Sequence, residues 1–171
     1  MSTDLLVYAD NLAEFDGRRI RCALGRTGIE TNKCEGDGAT PVGRFPLRRV
    51  LYRAARLERP ATQLPVDTIG RHDGWCDDPA DPAYNRPVRL PYPGRHEVMW
   101  REDSLYDIVV VIGHNDSPPI PGAGSAVFLH LAAADYSTTE GCVALALPDM
   151  LAFLKDCDES SAIEVQAAAA P

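Results

Sequence analysis

The sequence predicts a mainly β protein, β with minor α, carrying one or two short helices. Three observations predict it. The first two dozen residues alternate apolar and polar positions in short runs broken by turn residues, with Asp16-Gly17 as a hairpin signal. Tyr106 to Ile112 is almost wholly apolar, the mark of a central strand buried on both faces. Helical signals are confined to Arg95–Asp103 and to the stretch that opens at Pro148. A chain of 171 residues suits one domain with its own core. It is read here as a single domain over 1–171, with an irregular insertion at about 62–93.

Each element follows from its residues. Leu5 to Tyr8 is a short strand, Asp10-Asn11 a turn, and Leu12 to Phe15 a second strand. Arg18 to Leu24 alternates Ile20, Cys22 and Leu24 with polar residues, which turns Cys22 toward the core. Thr27 to Gly38 is a polar, Gly-rich loop with Cys34 as a surface thiol. Thr40-Pro41 forces an extended segment, and Gly43 to Tyr52 reads as a strand. Arg44, Arg48, Arg49, Arg53, Arg56 and Arg59 form a basic stretch, either a solvated face or an anion contact.

Thr62 to Pro93 is rich in Pro, Asp and Arg and has no period. Long irregular loops in compact domains commonly serve binding sites. Trp75, Tyr84, Asn85 and Arg86 are its candidates for gripping a peptide. Arg86 has a competing reading as the ion-pair partner of Asp77, Asp78 or Asp81. Arg95 to Asp103 is expected to be a short helix. Gly113-His114-Asn115-Asp116 ends the central strand, where His114 either bonds substrate or is an ordinary loop histidine. Ser117 to Gly124 is a rigid Pro- and Gly-rich loop that could wall a cleft. Pro148-Asp149 opens a helix with Met150, Leu151 and Leu154 as its apolar stripe. Ala162 to Val165 is expected as a final edge strand.

The chemistry concentrates between Ile108 and Leu147. Ser125 to Leu131 has a strand period that puts Ala126, Phe128 and His130 on one face. Cys142, Ala144 and Ala146 share a face of the following strand, and the small alanines leave room above it. Gly141 places the thiol at a turn beside main-chain N–H groups, as a nucleophile and its oxyanion pocket require. If the two strands pair, the His130 imidazole comes within hydrogen-bond reach of the Cys142 thiol and lowers its pKa. The competing reading is a buried cysteine and a hydrogen-bonded core histidine.

The segment Phe128-Leu129-His130, followed by Thr139-Glu140-Gly141-Cys142-Val143-Ala144-Leu145, resembles the catalytic signature of the L,D-transpeptidase (YkuD-like) family. Upstream, Gly38-Ala39-Thr40-Pro41-Val42-Gly43-Arg44-Phe45 is similar to that family's Thr-Pro-x-Gly-x-Phe segment. The two matches frame residues from about 5 to 156. The resemblance implies a curved mixed sheet or sandwich. It also implies a cysteine nucleophile at Cys142, a base at His130, oxyanion donors at Gly141 and Cys142, and Thr139 at the substrate. Its substrate class is peptidoglycan stem peptides or muropeptides, and a carbapenem would acylate the thiol. The chain departs from the pattern in three places. Glu140 stands where a second His is usual, Ala144 where many members carry Arg, and His130 lies only 12 residues before Cys142. Arg86 or Arg89 is the candidate replacement for that Arg.

Composition narrows the partners. A net charge of −8 argues against nucleic acid or an anionic membrane. No apolar run approaches the ~20 residues of a membrane span. The five cysteines form no zinc-binding spacing, and neither a metal nor a cofactor is expected. Met1 to Leu24 lacks the signature of a signal peptide, so a cytoplasmic location is expected, or a periplasmic one by another export route. The expected activity is removal of the terminal D-alanine from tetrapeptides by an L,D-carboxypeptidase. The alternatives are cross-linking by an L,D-transpeptidase and an inactive peptidoglycan-binding module.

Overall fold

The computed structural model describes residues 3–171. The chain opens with β1 (Leu5–Val7), β2 (Leu12–Phe15) and β3 (Arg18–Arg21), an antiparallel meander. Asn11 and Asp16-Gly17 take the positive φ that its turns need. A two-residue pair, β4 (Ile29–Glu30) and β5 (Thr40–Pro41), leads into the ten-residue β6 (Gly43–Tyr52). β6 is the pivot of the fold. Its first half pairs with β14 (Ala162–Val165), and its second half pairs with β11 (Ile108–Ile112) and β7 (Val66–Thr68).

Beyond β11 lie β12 (Phe128–Leu131), antiparallel to it, and β13 (Val143–Leu145), parallel to β12. The main sheet therefore runs β13-β12-β11-β6-β14-β1-β2-β3. It curls until Ala23, just past β3, exchanges hydrogen bonds of 2.9 and 3.0 Å with Ala144 of β13. This is a curved, nearly closed mixed sheet, as the sequence led us to expect. Burial of both faces of β11 fits its unbroken apolar run.

Period-2 alternation divides the core. Ile108, Val110, Leu129, Leu131, Val143 and Leu145 face α1 (Leu147–Lys155), the one helix among the described residues, which contributes Met150, Phe153 and Leu154. Val109, Val111, Phe128 and Cys142 face the other way, with Trp75, Met99 and Tyr106. The stripe expected from Leu151 belongs to Phe153, since Leu151 is exposed.

Three expectations are corrected. The irregular insertion expected at 62–93 contains β7, β8 (Asp73–Cys76) and β9 (Pro87–Arg89), and β8 lies between β9 and β10 (His96–Val98) in a second sheet. The helix expected at Arg95–Asp103 is replaced by β10 and turns, because pairing with β8 overrides a weak local preference. Ala162–Val165 is not an edge strand. It lies between β1 and β6, as its buried Ala162, Ile163 and Val165 require.

Candidate active site

The Cys142 turn is built from three segments. Leu24 O accepts from Thr139 N–H at 3.0 Å, and Thr139 O accepts from Arg26 N–H at 2.8 Å. Thr139 then staples its own turn. Its hydroxyl donates to Cys142 O at 2.6 Å and accepts from Gly141 N–H at 3.1 Å. Gly141 has φ +137°, and a Cβ there would lie 2.7 Å from Ala39 O, so only glycine lets the two backbones approach this closely. Buried Thr40 ties the same segment down, its Oγ1 accepting from Gly25 N–H at 2.9 Å. The Gly38–Phe45 motif and the Cys142 turn, a hundred residues apart in sequence, are thus one packed unit.

Cys142 sits across from Phe128, and His130 is in register with Ala144. The thiol and the imidazole therefore occupy one face of adjacent strands, diagonal to each other. Both line a cleft of about 360 Å³, with Lys33, Glu97, Arg101 and Tyr106 among its other walls. Two details differ from expectation. The Cys142 residue is only 8% exposed. Its sulfur also bonds to main chain rather than to His130, donating to Ala126 O at 3.3 Å and accepting from Phe128 N–H at 3.2 Å. The reason is geometric: the sulfur lies over the backbone at the start of β12, where Ala126, at φ +50°, breaks the strand.

His130 Nδ1 lies 2.8 Å from Leu131 O, a bond that requires the proton on Nδ1 and leaves Nε2 as the basic nitrogen. The Tyr106 ring stands edge-on to the imidazole at 5.3 Å, and its hydroxyl donates to Glu97 Oε2 at 2.7 Å. Burial lowers the His130 pKa to about 4, against the Leu131 hydrogen bond. Burial, then the Glu97 charge, pushes the Cys142 thiol up to about 12, against Phe128 N–H, Lys33 and Arg101. Burial likewise raises the Glu97 carboxyl, with the Tyr106 hydroxyl pulling the other way. The resting pair is a neutral thiol and a neutral imidazole.

Several expected site residues fall elsewhere. Trp75 Nε1 donates to Asn85 Oδ1 at 3.0 Å. The Asn85 amide bonds His114 O and Asn115 O, so both side chains are buried framework. The Tyr84 hydroxyl donates to Glu35 and accepts from Gly124 N–H, bracing the loop behind the cleft. Arg86 is exposed and outside the cleft, and Asp77 pairs with Arg95 instead. Arg89 pairs with Asp73 on the surface. His114 is buried, its ring edge-on to Phe45 at 5.3 Å, and its pKa falls to about 4 by burial and then the Lys33 charge. It too lies outside the cleft. Thr139 does line the cleft, but its hydroxyl is engaged within the turn. Gly141 N–H, an expected oxyanion donor, is bonded to Thr139, whereas Cys142 N–H donates to no acceptor among the described residues. Glu140 is 79% exposed and pairs with Arg26. Four arginines of the basic stretch, Arg44, Arg48, Arg49 and Arg56, are held in ion pairs with Asp4, Asp116, Asp67 and Asp107.

The sequence reading missed Lys33, Glu97, Arg101 and Tyr106. One signal was available for Lys33: the chain's basic residues are arginines except for Lys33 and Lys155. Among the described residues no group of three His, Cys, Asp or Glu could hold a metal ion, and no helix is long and apolar enough to cross a membrane.

The model of the L,D-transpeptidase catalytic domain, YkuD, matches residues 2–165. No curated protein matches the chain. Among solved structures, it is similar to L,D-transpeptidase 1 of Mycobacterium tuberculosis, with 13% identity and a TM-score of 0.42, covering 96% of this chain and 61% of that one. It is also similar to the helical cell shape determining protein Pgp2 of Campylobacter jejuni, with 15% identity and a TM-score of 0.43, covering 99% and 49%. The chain thus spans less than two thirds of the length of either protein.

Proposed function

The chain belongs to the L,D-transpeptidase catalytic-domain family, and on that premise we propose that it performs cysteine-based acyl transfer on peptidoglycan stem peptides. One observation carries the reading: Cys142 and His130 share a sheet face at the wall of a single cleft. Cys142 Sγ attacks the carbonyl at the L-centre of a diamino acid joined to a D-amino acid. His130 Nε2 takes the thiol proton and then delivers it to the leaving amine, giving a thioester. The Nδ1 bond to Leu131 O keeps the ring in the tautomer this needs.

The acceptor we assign is water, which makes the protein an L,D-carboxypeptidase that trims the terminal D-alanine from tetrapeptides. A cleft of about 360 Å³ lies near the lower end of small-ligand sites and suits one stem end with water. One observation favours the second reading, transpeptidation. A neighbouring depression lined by Trp100 and Asp103 shares Glu97 and Arg101 with the cleft and offers an amine a path to the thioester. Five free thiols support work in a reducing compartment, the cytoplasm.

Incubation with a disaccharide-tetrapeptide, read by mass spectrometry, tests this. Loss of one D-alanine is expected. Joined stems would establish the transpeptidase instead. Binding without turnover, together with no carbapenem adduct on intact protein, would identify an inactive binding module.

A further inference from the structure

We propose that the Lys33 ammonium is the charged member of the oxyanion pocket, touching the substrate carbonyl oxygen as Cys142 attacks. The inference rests on the acyl-transfer reading above and adds a catalytic group to it.

The Lys33 side chain is only 7% exposed, although it carries a full charge. Burying an ammonium is costly, and its one ion-pair partner is Asp37. Asp37 is itself fixed, accepting from Cys34 N–H and Ala39 N–H at 2.8 Å each. An ammonium has three protons to donate. Asp37 accepts one, and no other acceptor among the described residues takes either of the remaining two.

The position of the charge is as specific as its isolation. Lys33 lines the cleft with Cys142 and His130, and a Cβ built on Gly141 would lie 3.5 Å from Nζ. The ammonium therefore lies beside the turn that presents the sulfur, at the wall of the same cleft. That turn is short of a donor, because Gly141 N–H is bonded to Thr139 and only Cys142 N–H is free. A pocket with one main-chain donor and an adjacent buried cation with unused protons is electrostatically complete. No arginine after the cysteine is then needed to supply positive charge, which fits alanine at position 144.

In the step proposed, the Sγ–C bond forms and the carbonyl π pair moves onto oxygen. The thiol proton passes to His130 Nε2. Cys142 N–H and Lys33 Nζ hold the oxyanion. On collapse the pair returns, the C–N bond breaks, and the proton leaves on the amine.

The test compares wild type, Lys33→Gln, Lys33→Arg and the double variant Lys33→Gln/Asp37→Asn. The double variant removes both charges at once and leaves no buried carboxylate unpaired. D-alanine release from a tetrapeptide gives kcat and KM separately, and circular dichroism checks folding. Loss of about 100-fold in kcat is expected for both glutamine variants, with KM within about threefold of wild type and partial recovery in Lys33→Arg. Wild-type kcat in a folded glutamine variant would overturn the proposal. So would a loss confined to KM, which would make Lys33 a ground-state contact to the substrate carboxylate. A wild-type protein with neither turnover nor a thioester would instead refute the acyl-transfer reading itself.

Discussion

Replacing Thr40 with valine probes the joint between the two distant motifs. Valine keeps the shape of threonine and removes the one acceptor of Gly25 N–H, in a place where no other group can reach. Thr40 is 1% exposed, and a Cβ on Gly25 would lie 2.3 Å from Gly38 O, so there is no space for water. A buried N–H left without a partner costs about 1–3 kcal/mol. For a domain of this size each kcal/mol lowers Tm by about 2–4 °C, so a fall of roughly 2–12 °C is expected. The damage should reach the active site. Leu24 and Arg26, the neighbours of Gly25, hold Thr139 by two hydrogen bonds, and Thr139 staples the Cys142 turn. Carbapenem acylation should therefore slow along with the loss of stability. Scanning calorimetry and timed intact-mass measurements would follow both effects, with Thr40→Ser as the control that keeps the oxygen. A valine variant as stable as wild type would show that this hydrogen bond does not hold the joint together.

Two further outcomes follow from buried titratable groups. His114 and His130 have folded pKa values of about 4 against roughly 6.5 when unfolded, so between those values the unfolded chain binds more protons. Stability should rise with pH through this window and be lost on acidification, by on the order of 2–3 kcal/mol per histidine. Glu97, with its raised pKa, offsets part of this. Urea midpoints at pH 7 and pH 4.5 would measure the change, and equal midpoints would contradict it. With iodoacetamide at pH 8, the exposed Cys34 should be labelled first. Cys22, Cys142 and Cys157 are all buried with pKa values near 12. Peptide mapping that finds Cys142 alkylated first would show that its sulfur rests as an accessible thiolate.

What could be read from the sequence was set by local pattern. Alternation along the segments of β12 and β13 told which residues share a face, and so brought His130 and Cys142 together, while an unbroken apolar run marked β11. The hairpin at Asp16-Gly17 and the proline at the start of α1 marked their elements for local reasons as well. The second sheet was not legible, because β8 and β10 contain Gly74, His96 and Glu97 and owe their strand state to pairing with each other. The substrate-grip candidates failed for a related reason. Trp75 and Asn85 look like ligand-binding residues in a polar loop, yet they satisfy each other's hydrogen bonds inside the fold. Lys33 stood out only as one of two lysines among arginines, and a lysine in a polar loop normally points to water. Its burial comes from the fold, which packs the stem at Gly124 and the ammonium beside Gly141.

The resting pKa values constrain how the reaction can begin. Burial lowers the His130 pKa and raises that of Cys142, so before substrate binds both groups favour the neutral thiol–imidazole pair. In the reaction proposed above, the proton leaves the sulfur as the new bond forms. The charge then never accumulates on Sγ beside Glu97 but passes to the carbonyl oxygen. Glu97 opposes charge on the sulfur and Lys33 favours it, while Lys33 and Cys142 N–H together hold the charge once it reaches the oxygen. On this reasoning Glu97→Gln should raise the alkylation rate of Cys142 at neutral pH without a matching gain in acyl transfer. Equal gains in both would mean that thiol acidity alone limits the enzyme.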